Sequence, residues 1–423
     1  MLDIKYVVDN IEEVTKKLSL RNVASKSLKE IVELYNQLKK EKNKLESIHS
    51  EKNAFSKHIT QLTKEEKKNK LNELSSLTDQ ENKIKKFIDK IDITYKTLLL
   101  SIPNIPLDDV IPGKNEGDNK VTKEHGDKKS LSFAPKNHLE LGISNNIIDV
   151  ERAAKVSGSR FGYLKGDGAL LWLALVQYAL EVTHKHGFTL FMPPVLVKKH
   201  VMENSGYDSY LDGQEAYYIE KDDLFLVGTG EHALLPYHSD EILKEEDLPM
   251  SYSAYSSCFR RESGSYGKDT KGILRVHQFE KLEMLVIAQP SDSRNQFDRL
   301  LSVQEKIIQG LQIPYQLLSV CTGDLPKPSA KVVDLECWIP SEKKYRETHS
   351  ASNCTDYQAR RNKIRYKDSK GKSHYPHILN ATGITPRTLI ALIENYQQSD
   401  GSINIPEILQ PYMQGQTVIK HTK

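Results

Sequence analysis

The sequence is poor in the features that mark disulfide-rich, zinc-binding and membrane-spanning proteins. Its four cysteines, Cys258, Cys321, Cys337 and Cys354, lack the close spacing of a metal site or a disulfide framework, which predicts reduced thiols. No apolar run approaches the length of a membrane span, and residues 1–5 contain no apolar signal core. These absences predict a cytoplasmic protein without a membrane segment.

The sequence also has almost no excess of charge of either sign. The 423 residues have a net charge of +3, with 28% charged and 38% hydrophobic residues. This length and composition predict two or three domains that bury a core. A nucleic-acid partner would need a local basic patch, because the global charge does not provide one.

Proline and glycine are missing from residues 27–100, where Lys, Glu, Asn and Leu dominate and favour long helices. Apolar residues in the second half recur at alternating steps of three and four, as in a coiled-coil seam, with Glu81 as the one polar interruption. A polar turn at 63–68, with Thr63 as a candidate N-cap, separates the halves and predicts an antiparallel helical hairpin. The seam comprises Leu74, Leu77, Ile84, Ile88, Ile91, Tyr95 and Leu98.

The rest of the chain has mixed α and β character. Pro103 and Pro106 end the hairpin, and the polar residues 106–130 are predicted to form a linker. Strands clustered late in the chain, with helices between them, predict an α+β fold with an antiparallel or mixed sheet flanked by helices. The predicted strands are 188–192, 224–227, 282–287, 315–320 and 332–339, and the predicted helices are 170–186, 293–311 and 387–396.

A cation and a carboxylate stand together near residue 260. Arg260 and Glu262 follow an apolar segment and alternate as on a strand, so both side chains can face one side. An arginine can clamp a phosphate with two hydrogen bonds and keeps its charge at every working pH. Taken alone, such a doublet is more often a surface ion pair.

The segment that follows the glycine-containing loop 263–272 favours the functional interpretation. Arg275 supplies a second cation, and Phe279 offers a flat face for a purine. Glu283 lies four residues after Phe279, on the same face of a strand. The layout predicts a strand–loop–strand unit that binds a nucleotide triphosphate together with a small cationic molecule.

Three further clusters have a functional and a structural interpretation. Thr229 and Glu231 follow an apolar strand and can receive an ammonium group, or cap a turn that opens a helix. Glu347 and Ser350 can hold Mg²⁺, or belong to an ordinary polar loop. Arg387 lies in the first turn of a predicted helix, where a cation opposes the helix dipole. It either binds an anion such as a triphosphate or is merely solvated.

Taken in their order along the chain, these clusters resemble the signatures of the class II aminoacyl-tRNA synthetases, and among them those of the seryl-tRNA synthetase family. The N-terminal helical hairpin is also characteristic of that family. In motif 1 of the family a proline lies at the dimer interface, and Pro194 matches it. The resemblance is carried by residues 186–194 (motif 1), 259–283 (motif 2), 380–396 (motif 3), and the serine-specific segments 150–161 and 394–397.

The resemblance implies a cytoplasmic, homodimeric serine–tRNA ligase. Such an enzyme activates L-serine with ATP to seryl-adenylate and pyrophosphate, then transfers the seryl group to the 3'-terminal ribose of tRNA(Ser), with tRNA(Sec) a further candidate. The implied domains are a tRNA-binding arm at 1–105 with its hairpin at about 27–100, a linker at 106–130, and a class II catalytic domain at 131–423. The loop 263–272 would meet the acceptor end of the tRNA.

The resemblance also implies roles for single residues. Arg260 and Arg387 would be catalytic, Arg260 at the α-phosphate and the serine carboxylate and Arg387 at the γ-phosphate. Glu347 and Ser350 would bind ATP through Mg²⁺. The implied ATP-binding residues are Arg260, Arg261, Glu262, Arg275, Val276, Phe279, Glu347, Thr348, His349, Ser350 and Arg387. The implied serine-binding residues are Thr229, Gly230, Glu231, Glu283 and Thr382, with Thr229 and Glu231 at the ammonium and Glu283 and Thr382 at the hydroxyl.

The hairpin lysines form a locally basic surface that suits a phosphate backbone, although the interspersed acids also suit a solvated coiled-coil face. Given the resemblance, the arm would recognise the long variable arm of tRNA(Ser) by its shape. Two other hypotheses stay open: a paralogue that activates an amino acid for a carrier protein, which generally lacks such an arm, and a non-catalytic coiled-coil protein, which would not need Arg260, Glu283 and Arg387. The lysines are Lys39, Lys40, Lys42, Lys44, Lys52, Lys57 and Lys64.

Overall fold

The chain divides into two compact units, Met1–Pro103 and Asn104–Lys423. The computed structural model describes the backbone of residues 1–58, 64–128, 131–207, 215–263 and 272–421, and their side chains except those of 56–58, 64–67, 69 and 70. The candidate N-cap Thr63 and residues 264–271 of the predicted loop therefore lie outside the described residues.

Two long helices dominate the first unit. The ring of Tyr35 contacts that of Tyr95, and His49 contacts Glu81, so residue numbers rise along one helix as they fall along the other. This antiparallel pair confirms the predicted helical hairpin, whereas two short helices before it were not predicted. The helices are α1 (Ile4–Asp9), α2 (Ile11–Ser19), α3 (Ser25–His58) and α4 (Lys64–Ser101).

Glu81, the polar interruption in the seam, is buried and held by three partners. Lys52 Nζ lies 2.7 Å, Lys85 Nζ 2.5 Å and His49 Nε2 3.0 Å from its carboxylate oxygens. The hydrogen bonds from Lys52, Lys85 and His49 lower the pKa of Glu81 to about 2. A single polar residue in an apolar seam can fix the register of a coiled coil, because any other register leaves it unpaired.

The Glu81 cluster predicts that the arm loosens in acid. The folded-state pKa of about 2 lies below the ordinary value of 4.5, so the stabilisation is complete above 4.5 and is lost as the pH falls towards 2. Hydrogen-exchange protection of α4 in the full chain, corrected for intrinsic rates, should drop between about pH 6 and about pH 3. Glu81→Gln should remove that drop, whereas Glu73→Gln, at an exposed acid of the same helix, should keep it. An equal drop in both variants would contradict the assignment.

The second unit contains the remaining helices and all strands described. The helices are α5 (His138–Ser144), α6 (Val150–Ser157), α7 (Asp167–Lys185), α8 (Lys199–Ser205), α9 (Glu231–Leu234), α10 (Ser293–Gly310), α11 (Tyr357–Arg361) and α12 (Pro386–Asn395). The strands are β1 (Lys120–His125), β2 (Ile148–Asp149), β3 (Tyr163–Leu164), β4 (Thr189–Phe191), β5 (Leu196–Lys198), β6 (Tyr218–Ile219), β7 (Leu224–Leu226), β8 (Ile242–Lys244), β9 (Met250–Phe259), β10 (Gln278–Ala288), β11 (Tyr315–Ser319), β12 (Lys331–Ile339), β13 (Lys344–Asn353), β14 (Arg365–Lys367), β15 (Ser373–His374), β16 (His377–Ile384), β17 (Ile403–Asn404) and β18 (Val418–Ile419).

One large sheet organises this unit. Eight of the described strands follow the order β1-β11-β12-β13-β16-β10-β9-β4. All neighbours are antiparallel except β4, which runs parallel to β9 at the edge. With α7, α10 and α12 packed against it, the sheet confirms the predicted α+β fold. No helix in the described part of the chain is both long and apolar enough to cross a bilayer.

Strand β10 is apolar on both faces along its second half. Leu282, Met284 and Val286 join a core that α7, α10 and α12 complete, while Leu285 and Ile287 pack in a separate cluster on the opposite face. Because both faces are covered and both edges are paired, this strand fixes the side chains that it carries.

The sequence predictions missed part of this sheet. Residues 120–125, assigned to the linker 106–130, form the edge strand β1, and all six are exposed, so the segment shows no apolar alternation. The segment around Glu347, for which an ordinary polar loop was one interpretation, forms β13, and the segment around Thr382, where no strand was predicted, forms β16. Conversely, Arg260 and Glu262 were placed on a strand, but β9 ends at Phe259 and Glu262 adopts a left-handed φ of 53°.

Candidate active site

A cavity of about 300 Å³ lies over one face of the sheet. Three neighbouring strands, β13, β16 and β10, supply most of its polar floor. Alternate residues of a strand share a face, so each strand contributes every second side chain. These floor residues are Thr348, Ser350 and Ser352 of β13, Asn380 and Thr382 of β16, and Phe279, Lys281 and Glu283 of β10.

Most residues predicted for the site line this cavity. The set comprises Thr229, Glu231, Arg260, Glu262, Arg275, Val276, Phe279, Glu283, Glu347, Thr348, Ser350, Thr382 and Arg387. Chain segments more than a hundred residues apart therefore meet in one cavity.

Three predicted residues do not line the cavity. The Arg261 guanidinium lies 4.7 Å from the centre of the Tyr217 ring, and its Nε donates to the Ala216 carbonyl. His349 is buried beside Thr348, and burial lowers its pKa to about 3. Gly230 precedes α9, where an added Cβ would lie 3.1 Å from the Ala254 Cβ and 3.4 Å from the Glu283 Cβ, so the lack of a side chain lets this turn pack closely on β9 and β10.

An acidic pair lies at one end of the cavity. Thr229 Oγ1 donates a hydrogen bond to Glu283 Oε2 at 3.2 Å, and Gln358 Nε2 donates to Glu231 Oε1 at 2.6 Å. Burial is the main cause that raises the pKa of Glu231 to about 7, and the charge of Glu283 is the second. Lys281 contacts Glu283 but not Glu231, so this end of the cavity can receive a small cation at Glu231.

Cationic and aromatic side chains also line the cavity. Arg260 is 5.3 Å from the centre of the Phe279 ring, and its Nε donates to the Gly228 carbonyl at 3.0 Å. Arg275 pairs with Glu262 at 2.6 Å. A flat ring beside one arginine, with a second arginine in the same cavity, suits a purine nucleotide and its phosphates.

The predicted metal ligands lie on β13 near a third arginine. Arg387 Nη1 donates to the Glu347 carbonyl and to Glu347 Oε2, both at 3.0 Å. Asp334 lies in the neighbouring strand β12. Burial is the main cause that raises its pKa, and the charge of Glu347 is the second, whereas a hydrogen bond with Ser350 opposes the rise. The side-chain oxygens of Glu347 and Ser350 are hard donors, which fit Mg²⁺. Among the described residues no group of three or more His, Cys, Asp or Glu can hold a metal unaided, so phosphate oxygens would have to complete the shell.

Lys281, Ser352 and Asn380 line the cavity, and Gln358 binds Glu231, but none of these four residues was predicted. The first three could have been found from the two-residue period of each strand, because they alternate with Glu283, Ser350 and Thr382. Gln358 gives no such signal, since it comes from α11.

Comparisons with known proteins agree with this geometry along the whole chain. Residues 1–106 match the seryl-tRNA synthetase N-terminal domain, and residues 217–396 match the tRNA synthetase class II core domain (G, H, P, S and T). A serine–tRNA ligase of Campylobacter lari is 43% identical over 97% of this chain and 100% of its own, and one of Pseudothermotoga lettingae is 40% identical over 98% and 99%. The crystal structure of seryl-tRNA synthetase from Pyrococcus horikoshii complexed with ATP has a TM-score of 0.94 and 35% identity, and covers 100% of both chains.

The chain belongs to the seryl-tRNA synthetase family. The resemblance inferred from the sequence is therefore confirmed, as are the class II fold with its helical arm and the assignment as a serine–tRNA ligase. Family membership also removes the two other hypotheses, a carrier-protein paralogue and a non-catalytic coiled-coil protein.

The raised pKa of Glu231 predicts a pH-dependent stability. Its folded-state value of about 7 exceeds the ordinary 4.5, so folding favours the protonated form and stability falls as the pH rises from 4.5 to 7. Glu231→Gln cannot ionise and should escape this loss, so its Tm relative to the parent should be higher at about pH 8 than at about pH 5. Thermal denaturation without ligands measures this Tm difference at each pH, and Glu246→Gln, at an exposed acid, is the control. A Tm difference that is independent of pH would show that Glu231 is ionised throughout.

Proposed function

We propose that the enzyme joins L-serine to tRNA(Ser) in two steps within this one cavity. The serine carboxylate attacks the α-phosphorus of ATP, which releases pyrophosphate and gives seryl-adenylate. The terminal ribose hydroxyl of the tRNA then attacks the seryl carbonyl and releases AMP. The observation that supports this best is an acidic pair next to a flat ring and fixed arginines, in a chain that matches serine–tRNA ligases over its whole length.

No protein nucleophile is needed for this chemistry, so positioning and charge neutralisation supply the acceleration. Arg260 would bind the α-phosphate together with the serine carboxylate, since it lies beside the Phe279 ring and lines the same cavity as the acidic pair. Phe279 would stack on adenine, with Glu262 at the purine edge and Val276 against the ring. Arg387 would bind the γ-phosphate.

Mg²⁺ would be held by Glu347 and Ser350 together with ATP phosphate oxygens. When bound, the ion neutralises phosphate charge and orients the leaving pyrophosphate. The pairing of Glu347 with Arg387 supports this arrangement, because it places a metal ligand and a phosphate-binding cation side by side at the same end of the cavity.

The serine ammonium would lie at Thr229 and Glu231, and its hydroxyl at Glu283 and Thr382. Glu283 and Thr382 are cross-strand partners in β10 and β16, beside an irregularity in the pairing at Leu282, so they can reach one small group from two sides. Alanine would leave the buried Glu283 carboxylate without its ligand, which is the kind of defect that gives strong discrimination.

Replacing Glu283 with alanine should therefore remove serine activation while ATP binding remains. The kcat/KM for serine in ATP–pyrophosphate exchange should fall roughly 100-fold or more, because a buried charged hydrogen bond is lost. ATP affinity, measured by calorimetry, should change less than about threefold by the same argument. Glu280→Ala is the matched control, since Glu280 lies on the opposite face of β10, where it accepts a hydrogen bond from Ser257. Unchanged serine-dependent exchange in Glu283→Ala would exclude Glu283 from the site.

The arm would bind the tRNA outside the cavity. Its helices α3 and α4 carry exposed lysines, among them Lys39, Lys40 and Lys42, which suit a phosphate backbone. Recognition would depend on the shape of the long variable arm of tRNA(Ser), since lysines on a regular helical rod contact phosphates and not base edges.

Deleting residues 27–100 should separate the two steps of the reaction. Serine-dependent pyrophosphate exchange should remain near the level of the full chain, because the cavity residues all come from the second unit. Charging of tRNA(Ser) should become undetectable, because the enzyme no longer holds its acceptor. A filter assay with labelled serine measures charging, and normal charging by the truncated chain would rule out the arm as the tRNA-binding element.

We also propose a cytoplasmic homodimer that pairs through the motif 1 region around Pro194. In support, β4 forms an edge of the large sheet, and the neighbouring side chains Leu190 and Met192 are exposed. An edge strand with apolar neighbours favours association with a second copy.

The cysteines support the cytoplasmic location. All four are buried and free, as suits a reducing compartment.

A further inference from the structure

A buried lysine occupies the acidic end of the cavity. Lys281 and Glu283 lie two residues apart on β10 and face the same side, with exposed fractions of 8% and 2%. Lys281 Nζ contacts Glu283 Oε2 and donates a hydrogen bond to Thr229 Oγ1 at 3.2 Å. Lys281 thus touches two of the groups to which the serine subsite is assigned.

The contacts of Glu283 leave one of its oxygens for a ligand. In the part of the chain that the structure describes, both Lys281 and the Thr229 hydroxyl bind Oε2. Oε1 is therefore the oxygen that can accept a hydrogen bond from a molecule in the cavity. Because the negative charge of Glu283 is already balanced by Lys281, that hydrogen bond is best made by a neutral donor.

The other carboxylate at this end of the cavity has a different environment. Glu231 is bound by the uncharged amide of Gln358, and Lys281 influences it through charge alone. An incoming ammonium group is therefore drawn to Glu231, which no cation among the described residues contacts, and is repelled at Glu283 by the Lys281 ammonium. The two acids are chemically unequal because one has a counter-ion.

We propose that Lys281 is a specificity-determining residue, which keeps Glu283 neutralised so that the subsite accepts a β-hydroxyl and rejects a β-ammonium group. This inference rests on the proposed function, since it names what divides the serine subsite between its two acids. The discriminated ligand class is the β-amino analogue of the substrate. L-2,3-diaminopropionate has the same shape as serine, with an ammonium group in place of the hydroxyl.

A purely structural role for Lys281 makes a different prediction. If the lysine served only to stabilise a buried carboxylate, its loss would weaken the fold and lower activation of every amino acid by the same factor. The ratio of kcat/KM for diaminopropionate to that for serine would then stay constant. This ratio separates the two roles whatever the variant does to stability.

The test is ATP–pyrophosphate exchange by the full-length enzyme with each of the two amino acids. Lys281→Met removes the charge at similar length, and the diaminopropionate-to-serine ratio should rise by about tenfold or more, because a like charge at contact distance is removed. Lys281→Arg restores the charge and should keep the ratio near that of the parent. Lys331→Met, at a lysine that pairs with Asp109 outside the cavity, is the matched control and should leave the ratio unchanged.

Lys281→Gln provides a second measurement if the methionine variant does not fold, because its amide can still donate to Thr229 without a charge. An unchanged ratio in the folded variant, with serine activation by the parent enzyme intact, would overturn the role of Lys281 alone. Failure of the parent enzyme to activate serine would overturn the proposed function and this inference with it.

Discussion

The central constraint on this protein is the double pairing of strand β10. Hydrogen bonds to β9 on one edge and β16 on the other fix its backbone, and apolar clusters cover both faces of its second half. A side chain on such a strand cannot change its direction without breaking the sheet. Glu283 is therefore presented to the cavity by the doubly paired part of this strand, and Lys281 by the adjoining part that pairs with β9. Such a strand sets the geometry of the subsite before any ligand arrives.

Burial of charge on this strand is poorly explained as a contribution to stability. An ion pair taken out of water loses hydration that its mutual attraction barely replaces, and an apolar pair of similar size is often as stable or more stable. Glu231 adds a second buried acid whose pKa is raised to about 7. Strand β10 carries a buried lysine and a buried acid, and α9 adds a second buried acid. Folding alone disfavours such groups, which points to an interaction with a ligand.

The sequence was most informative where a feature is regular or unusually specific. The proline- and glycine-free stretch with its apolar seam predicted the arm, and the order of Arg260, Phe279 and Glu283 along the chain singled out three side chains that line one cavity. Strands β13 and β16 were missed because their polar residues face an internal cavity, and polarity was interpreted as exposure. Lys281 was missed for a related reason, because a lysine in a sequence is taken to reach solvent unless a partner two residues away is considered.

The arm and the cavity apply the same electrostatics with opposite consequences. In the arm, Glu81 is surrounded by two lysines and a histidine, which lower its pKa and leave no place for a ligand. In the cavity, Lys281 and Thr229 bind one oxygen of Glu283. Complete pairing makes a buried acid a structural element that fixes register, and partial pairing makes it a binding group. The number of partners around a buried carboxylate therefore separates the two functions within one chain, although both acids look alike in the sequence.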